Sequence, residues 1–155
     1  MIRVQDVAFD PGAEINVFSG ANANSGAIAS FIGQVRDYAS GEDRSAPITQ
    51  LHLEHYPGMT DRELARIAQE ASDRWQLHDV LVIHRFGPMT PSDAIVLVCT
   101  AAAHRAEAFS ACEFIMDWLK TQAPFWKRET SPDGDTWVDA RQSDQDRADR
   151  WALDS

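Results

Sequence analysis

The chain has only two lysines, Lys120 and Lys127, among twelve arginines. They lie in one short stretch. Two ammonium groups held close disfavour each other's charge, and partial burial acts in the same direction. A lysine in that setting loses its proton nearer neutral pH and becomes a base or nucleophile, whereas a charged one holds an anion. Spacing alone equally allows two solvated surface lysines. Arg128 and Glu129 follow Lys127 directly. Arg36 stands where a strand enters a polar loop, a common place for an anion-binding side chain and equally for an ordinary strand-end charge. His104 and Arg105 open a helix, whose N-terminus carries partial positive charge and free N–H groups, so the pair suits a phosphate. The alternative is that Arg105 pairs with Glu107 or Glu129.

Other reactive side chains point elsewhere. His52 and His55 flank Glu54, but residues three apart on a strand face opposite sides, so no shared metal ion is expected. Cys99 lies in an apolar strand and Cys112 on an apolar helix face, where thiols are inert packing groups. A sulfur-carrying cysteine needs an exposed, electropositive setting. Two cysteines cannot make a disulfide framework, which fits a reducing cytoplasm. His84-Arg85, at a strand end, receives no assigned role.

Elements must position these residues. Arg3 to Phe9 alternates apolar and polar and predicts a strand, broken by Pro11-Gly12. Glu14 to Ala21 predicts a short helix. Gly26 to Val35 predicts a buried strand ending at Arg36, followed by a polar loop from Asp37 to Pro47. Ile48 to Tyr56 predicts a second strand with period two. Thr60 and Glu63 form a capping box that starts a helix with Leu64, Ile67, Ala68, Ala71 and Trp75 on one face. Val80 to Arg85 and Ala94 to Thr100 predict strands. His104 to Ala123 predicts the longest helix, ended by Pro124, which cannot continue the ladder. Phe125 to Thr130 and Thr136 to Ala140 predict a hairpin around Pro132-Asp133-Gly134. The segment from Gln142 is acidic, with helical character and Trp151 as its anchor. Strands and helices mix without regular βαβ alternation, which predicts an α+β fold with a largely antiparallel sheet.

The spacing along the predicted long helix carries a further expectation. Arg105 and Lys120 are separated by about 22 Å at 1.5 Å rise per residue. One small ligand cannot reach both within one chain. Either they serve different sites, or a second copy brings its Arg105 to Lys120, which predicts a homodimer.

Composition excludes several classes. The 155 residues carry a net charge of −10, which opposes general nucleic-acid binding and docking on an anionic membrane. Tyr56, Phe109, Phe125, Trp126 and Trp137 are therefore expected in core and interfaces, not as a base-stacking platform. No run approaches the roughly 20 apolar residues of a membrane span, and Met1 to Asp6 lacks the apolar run of a signal peptide. No phosphate-cradling loop of the G-x-x-x-x-G-K-[ST] kind is present. The length predicts a single domain over 1–155, with an acidic tail from 141.

Several segments together resemble one family. Gly26-Ala27 through Phe31, Gly33 and Val35-Arg36 are similar to a strand of the molybdopterin synthase large subunit. Leu53 to Met59 resembles that family's central turn. His84-Arg85 with Gly87, and His104-Arg105 with Ala108-Phe109, match two further segments. Met116 to Glu129 is the most specific stretch, and the resemblance runs from about Gly26 to Arg141. It implies an α/β hammerhead-type fold, a central homodimer, and on each copy a small ubiquitin-like sulfur-carrier subunit whose C-terminal glycine thiocarboxylate supplies sulfur. The assembly would be a heterotetramer, cytoplasmic, with no cofactor of its own. The implied substrate is cyclic pyranopterin monophosphate, converted to the molybdopterin dithiolene. Carried over by position, Lys120 and Lys127 are catalytic. Gln34, Val35, Arg36, His104, Arg105, Arg128 and Glu129 line the substrate site, with Phe31, Met116 and Arg141 as wall residues. Gln34 stands where the family often has a basic residue, and Ser92 where it usually has glycine. A non-catalytic module gripping a partner's C-terminal tail is the alternative; it would not need both lysines. A phosphotransferase and a cysteine-based sulfurtransferase are further alternatives, the latter requiring Cys99 or Cys112.

Overall fold

The computed structural model describes residues 1–38, 47–138 and 142–153. Most of the Asp37 to Pro47 loop, and Arg141, lie outside them. The order of elements is β1 (Ile2–Gln5), α1 (Pro11–Ala21), β2 (Ala27–Gln34), β3 (Gln50–His55), α2 (Met59–Trp75), β4 (Asp79–Arg85), β5 (Gly87–Met89), β6 (Ala94–Ala102), α3 (Arg105–Thr121), β7 (Phe125–Ser131), β8 (Gly134–Val138) and α4 (Gln142–Leu153). The class is α+β, as expected. The strands form two sheets, ordered β1-β4-β6-β2 and β5-β3-β7-β8. All pairings are antiparallel except β1 with β4.

Alternation along β4 sorts the core. Val80 and Val82 face α2 and α3, where Leu64, Ile67, Ala71, Ala111 and Ile115 are buried. Leu81 and Ile83 face Phe18 of α1. Each fully buried Leu, Ile or Val contributes about 1.5–3 kcal/mol relative to exposure. The second sheet buries Leu51, Leu53 and Met89 against Val35. Helix α3 runs back over β6, so its C-terminal end lies above the start of β6 and the ends of β2 and β4. Its N-terminal end lies at the opposite edge.

Local chemistry departs from the predicted boundaries in several places. The first strand is shorter than predicted, and Pro11 does not merely break it: Pro11 opens α1, where Asp10 accepts from Gly12 and Ala13 N–H groups at 2.8 and 3.2 Å. A proline suits that position because its missing N–H would be unpaired there. The predicted Thr60–Glu63 box is replaced. Gly58 is the cap residue with φ +77°, and Asp61 Oδ2 accepts its N–H at 3.2 Å. Thr60 is buried and donates to the Tyr56 carbonyl at 2.9 Å, while Glu63 pairs with Arg66. Strand β2 is an edge strand, so Phe31 and Ile32 are exposed, not buried. Helix α2 equals α3 in length, 17 residues each. Strand β5 was too short to register as a periodic run. Tyr56, Phe109, Trp126 and Trp137 are exposed on the single chain and lie outside its core, while Phe125 is partly buried.

The tail is helical and anchored. Trp151 packs edge-on against Trp75 and Phe114 and donates its indole N–H to the buried Asp117 at 2.8 Å. Arg150 reaches the same carboxylate at 3.0 Å and Glu113 at 2.7 Å.

Ser92 has φ +75° in the turn between β5 and β6. Its N–H donates to the Val35 carbonyl at 2.9 Å, and Val35 N–H donates to Asp93 O at 2.9 Å. The left-handed conformation strains any side chain but glycine's. Ser92→Gly is therefore expected to raise stability by about 0.5–1 kcal/mol, or about 1–4 °C in thermal melting. An unchanged or lower melting temperature would contradict the strain.

Candidate functional site

The ends of β2, β4 and α3 and the face of β7 converge on one cationic cluster. Lys127 is on β7, opposite Leu53 of β3 and Val138 of β8. Directly opposed residues share a face, so Lys127 and Glu129 stand on the side that buries Leu51 and Leu53. Lys127 is half-buried, and its Nζ donates to Glu129 Oε1 at 2.7 Å; Glu129 itself is buried. Burial lowers the Lys127 pKa, the Glu129 hydrogen bond and charge oppose that, and the charges of Arg36 and Lys120 lower it further. Two lysines and an arginine thus share one neighbourhood. Arg36 also lies over the Tyr38 ring at 4.9 Å.

His84 lies within electrostatic range of Lys120, which is exposed in the last turn of α3. His84 continues the Val80–Val82 row of β4, on the side that faces α2 and α3. Its ring stacks on Phe125 at 3.8 Å and 16°. Its Nδ1 is 2.9 Å from the Arg85 carbonyl. Desolvation lowers its pKa to about 4, against the Arg85 hydrogen bond and with help from the Lys120 and His55 charges. The neighbouring His55 lies between Phe86 and Phe125, with ring centroids at 4.3 and 6.2 Å. Alternation could have exposed His84 in the sequence, because it puts an imidazole where the row requires an apolar side chain.

The other predicted site residues separate. Val35 is buried where the two sheets meet. Gln34 is exposed, its amide N–H donating to Ser92 O at 3.4 Å. Phe31 shares the α3-side face of β2, beside Gly33, where a Cβ would meet Val96 at 2.7 Å and the Phe31 ring at 3.3 Å. Met116 is in the core of α3. Arg128 points to the opposite face of β7 from Lys127, over the Trp137 ring at 5.7 Å and paired with Asp135 at 3.3 Å. His104 and Arg105 are exposed at the far end of α3, and His104 caps that helix through its backbone without a side-chain cap bond. His104 lines a separate cleft of about 360 Å³ with Arg74, Trp75, Gln76 and Glu107. Among the described residues, Arg105 pairs with neither Glu107 nor Glu129.

Both cysteines are buried, and burial raises their thiol pKa values to about 11 for Cys99 and about 12 for Cys112. Neither is a ready thiolate. No group of His, Cys, Asp and Glu among the described residues could hold a metal. No described helix is long and apolar enough to cross a membrane.

The model of the family described as MoaE protein matches residues 4–122. The chain belongs to the MoaE family. It is 52% identical over 152 residues to the molybdopterin synthase catalytic subunit of Ralstonia nicotianae, covering 98% of this chain and 84% of that one. It is 55% identical over 126 residues to the Escherichia coli K12 protein of the same name, covering 81% of each. A solved structure, the molybdopterin biosynthesis MoaE protein from Burkholderia ambifaria, superposes with a TM-score of 0.80 at 48% identity, covering 98% of this chain and 97% of that one. Within this MoaE-family chain, the segments quoted for the resemblance all fall within the described residues, and Arg141 lies outside them.

The buried imidazole gives a pH prediction. His84 has a folded pKa near 4 against an unfolded 6.5, so the unfolded chain binds the extra proton between those values. Stability attributable to neutral His84 is full above about pH 6.5 and falls as pH drops toward 4, by roughly 3 kcal/mol in all. Urea unfolding at pH 4.5 and pH 7 is expected to show a smaller acid loss for His84→Phe than for wild type. Equal losses would contradict the assignment.

Proposed function

We propose that this chain is the catalytic subunit of a cytoplasmic molybdopterin synthase. It takes sulfur from the C-terminal thiocarboxylate of a small ubiquitin-like partner and places it on cyclic pyranopterin monophosphate, forming the dithiolene in two transfers. The names of the relatives support the activity class. The observation that carries the chemistry is the packing of Lys127 within range of the Lys120 and Arg36 charges, with Glu129 as its ion-pair partner.

A thiocarboxylate and a cyclic phosphate are both anions. Bringing them together requires preorganised cations where charge gathers, inside a protein of net charge −10. Arg36 and Lys120 supply that charge. Lys120 acts nearest the sulfur-transfer centre as acid, base or transient nucleophile. Lys127, with its pKa lowered and Glu129 in contact, holds charge or passes protons. Because sulfur arrives on the partner, Cys99 and Cys112 remain packing groups.

A homodimer completes the site. His104, Arg105 and Arg128 stand away from Lys127 within one chain, so a second copy supplies them. Two such chains, each with a sulfur carrier, make a heterotetramer. The single domain includes the tail from 141.

The test is a reconstituted conversion with a thiocarboxylated small subunit and cyclic pyranopterin monophosphate. Lys120→Ala is expected to lose about 100-fold or more in rate, and Lys127→Ala about 10- to 100-fold, with partner binding retained. Mixing inactive Lys120→Ala and Arg105→Ala chains is expected to restore activity, since a mixed dimer holds one intact site. Full activity of Lys120→Ala, or no conversion by wild type, would overturn the reading.

A further inference from the structure

Helices α2, α3 and α4 enclose a cleft of about 240 Å³, and none of the residues lining it belongs to the cluster around Lys127. Its walls are aromatic, with Phe114 and Trp118 from α3 and Trp151 from α4. Phe114 and Trp151 meet edge to face at 5.5 Å. Two guanidiniums from α2 stand over these rings. Arg66 lies 5.8 Å from the centre of the Trp118 ring. Arg74 lies 5.7 and 5.6 Å from the centres of Phe114 and Trp151. A cation is drawn to an aromatic face by the ring quadrupole, so the rings hold both guanidiniums at the cleft.

The two indoles of the cleft differ in one respect. Trp151 spends its N–H on Asp117 at 2.8 Å. Trp118 is 6% exposed, and its indole N–H has no acceptor among the described residues. An indole nitrogen can only donate, and a buried donor left unmatched is costly. Phenylalanine would supply a ring to that wall without the donor. Arg66 gives its Nε–H to Glu63 and an Nη1–H to Glu70, both at 2.9 Å, which leaves its Nη2 hydrogens for a further acceptor. Arg74 donates from Nη1 to the Trp151 carbonyl at 3.2 Å. Among the described residues lining the cleft, Glu70 is the one carboxylate, and Arg66 holds it.

We propose that this cleft binds a small aromatic carboxylate, its ring against Phe114 and Trp151 and its carboxylate accepting from Trp118 Nε1–H and from Arg66. Volume sets the size. A cavity of roughly 150 Å³ holds benzene, so about 240 Å³ takes one ring with its carboxylate. Sites for drug-sized ligands are larger, at roughly 300–1,000 Å³. Charge sets the class, since two guanidiniums against one carboxylate favour an anion. The aromatic walls call for a flat apolar body, which inorganic anions lack. Because α4 supplies Trp151, the site is complete only with that helix docked through Asp117. The site is independent of the proposed conversion.

Benzoate is the probe. The five tryptophans give five indole N–H signals in ¹⁵N-labelled protein. The Trp118 signal is the one lost in Trp118→Phe. Benzoate is expected to move it saturably, with a Kd of about 1 mM. Trp126 and Trp137, exposed on the second sheet, should stay in place. By calorimetry, Trp118→Phe and Arg66→Gln are each expected to weaken benzoate about 10-fold or more. Acetate, which lacks the ring, and benzyl alcohol, which lacks the charge, should bind wild type about 10-fold or more below benzoate. A Trp118 signal that does not move would overturn the proposal. So would wild-type affinity for benzoate in both variants, or equal affinity of wild type for acetate and benzoate. Should Trp118→Phe fail to fold, wild-type affinity in Arg66→Gln alone would overturn it, because Arg66 is an exposed side chain whose loss the fold tolerates. Binding is read without the conversion, so this site and the functional reading stand or fall separately.

Discussion

Two cations, Arg36 and Lys120, lie within electrostatic reach of Lys127, and one buried carboxylate, Glu129, is in contact with it. Like charges in a partly desolvated space repel strongly enough that the scaffold must hold them there. The surrounding arrangement does so from several elements at once. The register of β7 on β3 turns Lys127 and Glu129 together onto the buried face. Helix α3 delivers Lys120 from above, and the end of β2 leads to Arg36.

The junction of the two sheets makes that convergence rigid. Val35 exchanges backbone hydrogen bonds with the Ser92–Asp93 turn and packs with Leu51, Leu53 and Met89. Asp93 also accepts from Thr90 N–H at 2.9 Å and engages Arg85. Phe125, immediately after the Pro124 break, rests on His84, which ties the first residue of β7 to the end of β4. At the other side, Asp117 anchors α4 through Trp151 and Arg150, fixing the outer face of α3. The fold thus holds α3 from two sides while leaving its last turn to present Lys120.

Much of this was legible in the sequence, and the exceptions have physical causes. The strand at 80–85, the strand from Ala94 and the helix that ends before Pro124 follow from strong periodicity, and the chain's lysine pairing follows from composition. The α2 cap was misplaced because Gly58 can adopt a positive φ that puts the helix start before Thr60. The division into two sheets was not legible, since which strands pair is a long-range matter that alternation does not encode. The short β5 strand is held by three register pairs with β3, too few to leave a periodic signature. In the site, the Lys127–Glu129 pair obeys the two-residue period of a strand. The same period turns Arg128 away, a consequence that the resemblance alone did not reveal. His84 lacked a role in the sequence because its surroundings, the stacked Phe125 of β7 above all, are brought to it by long-range packing.

The most direct measurement of the cluster is an NMR titration of lysine side chains in the isotope-labelled protein, where two lysines give two signals to assign. The account predicts that Lys127 titrates below the ordinary lysine value, and that Lys120→Ala moves it upward by removing a neighbouring positive charge. A Lys127 signal that titrates at the ordinary lysine value, and stays there when Lys120 is replaced, would contradict it.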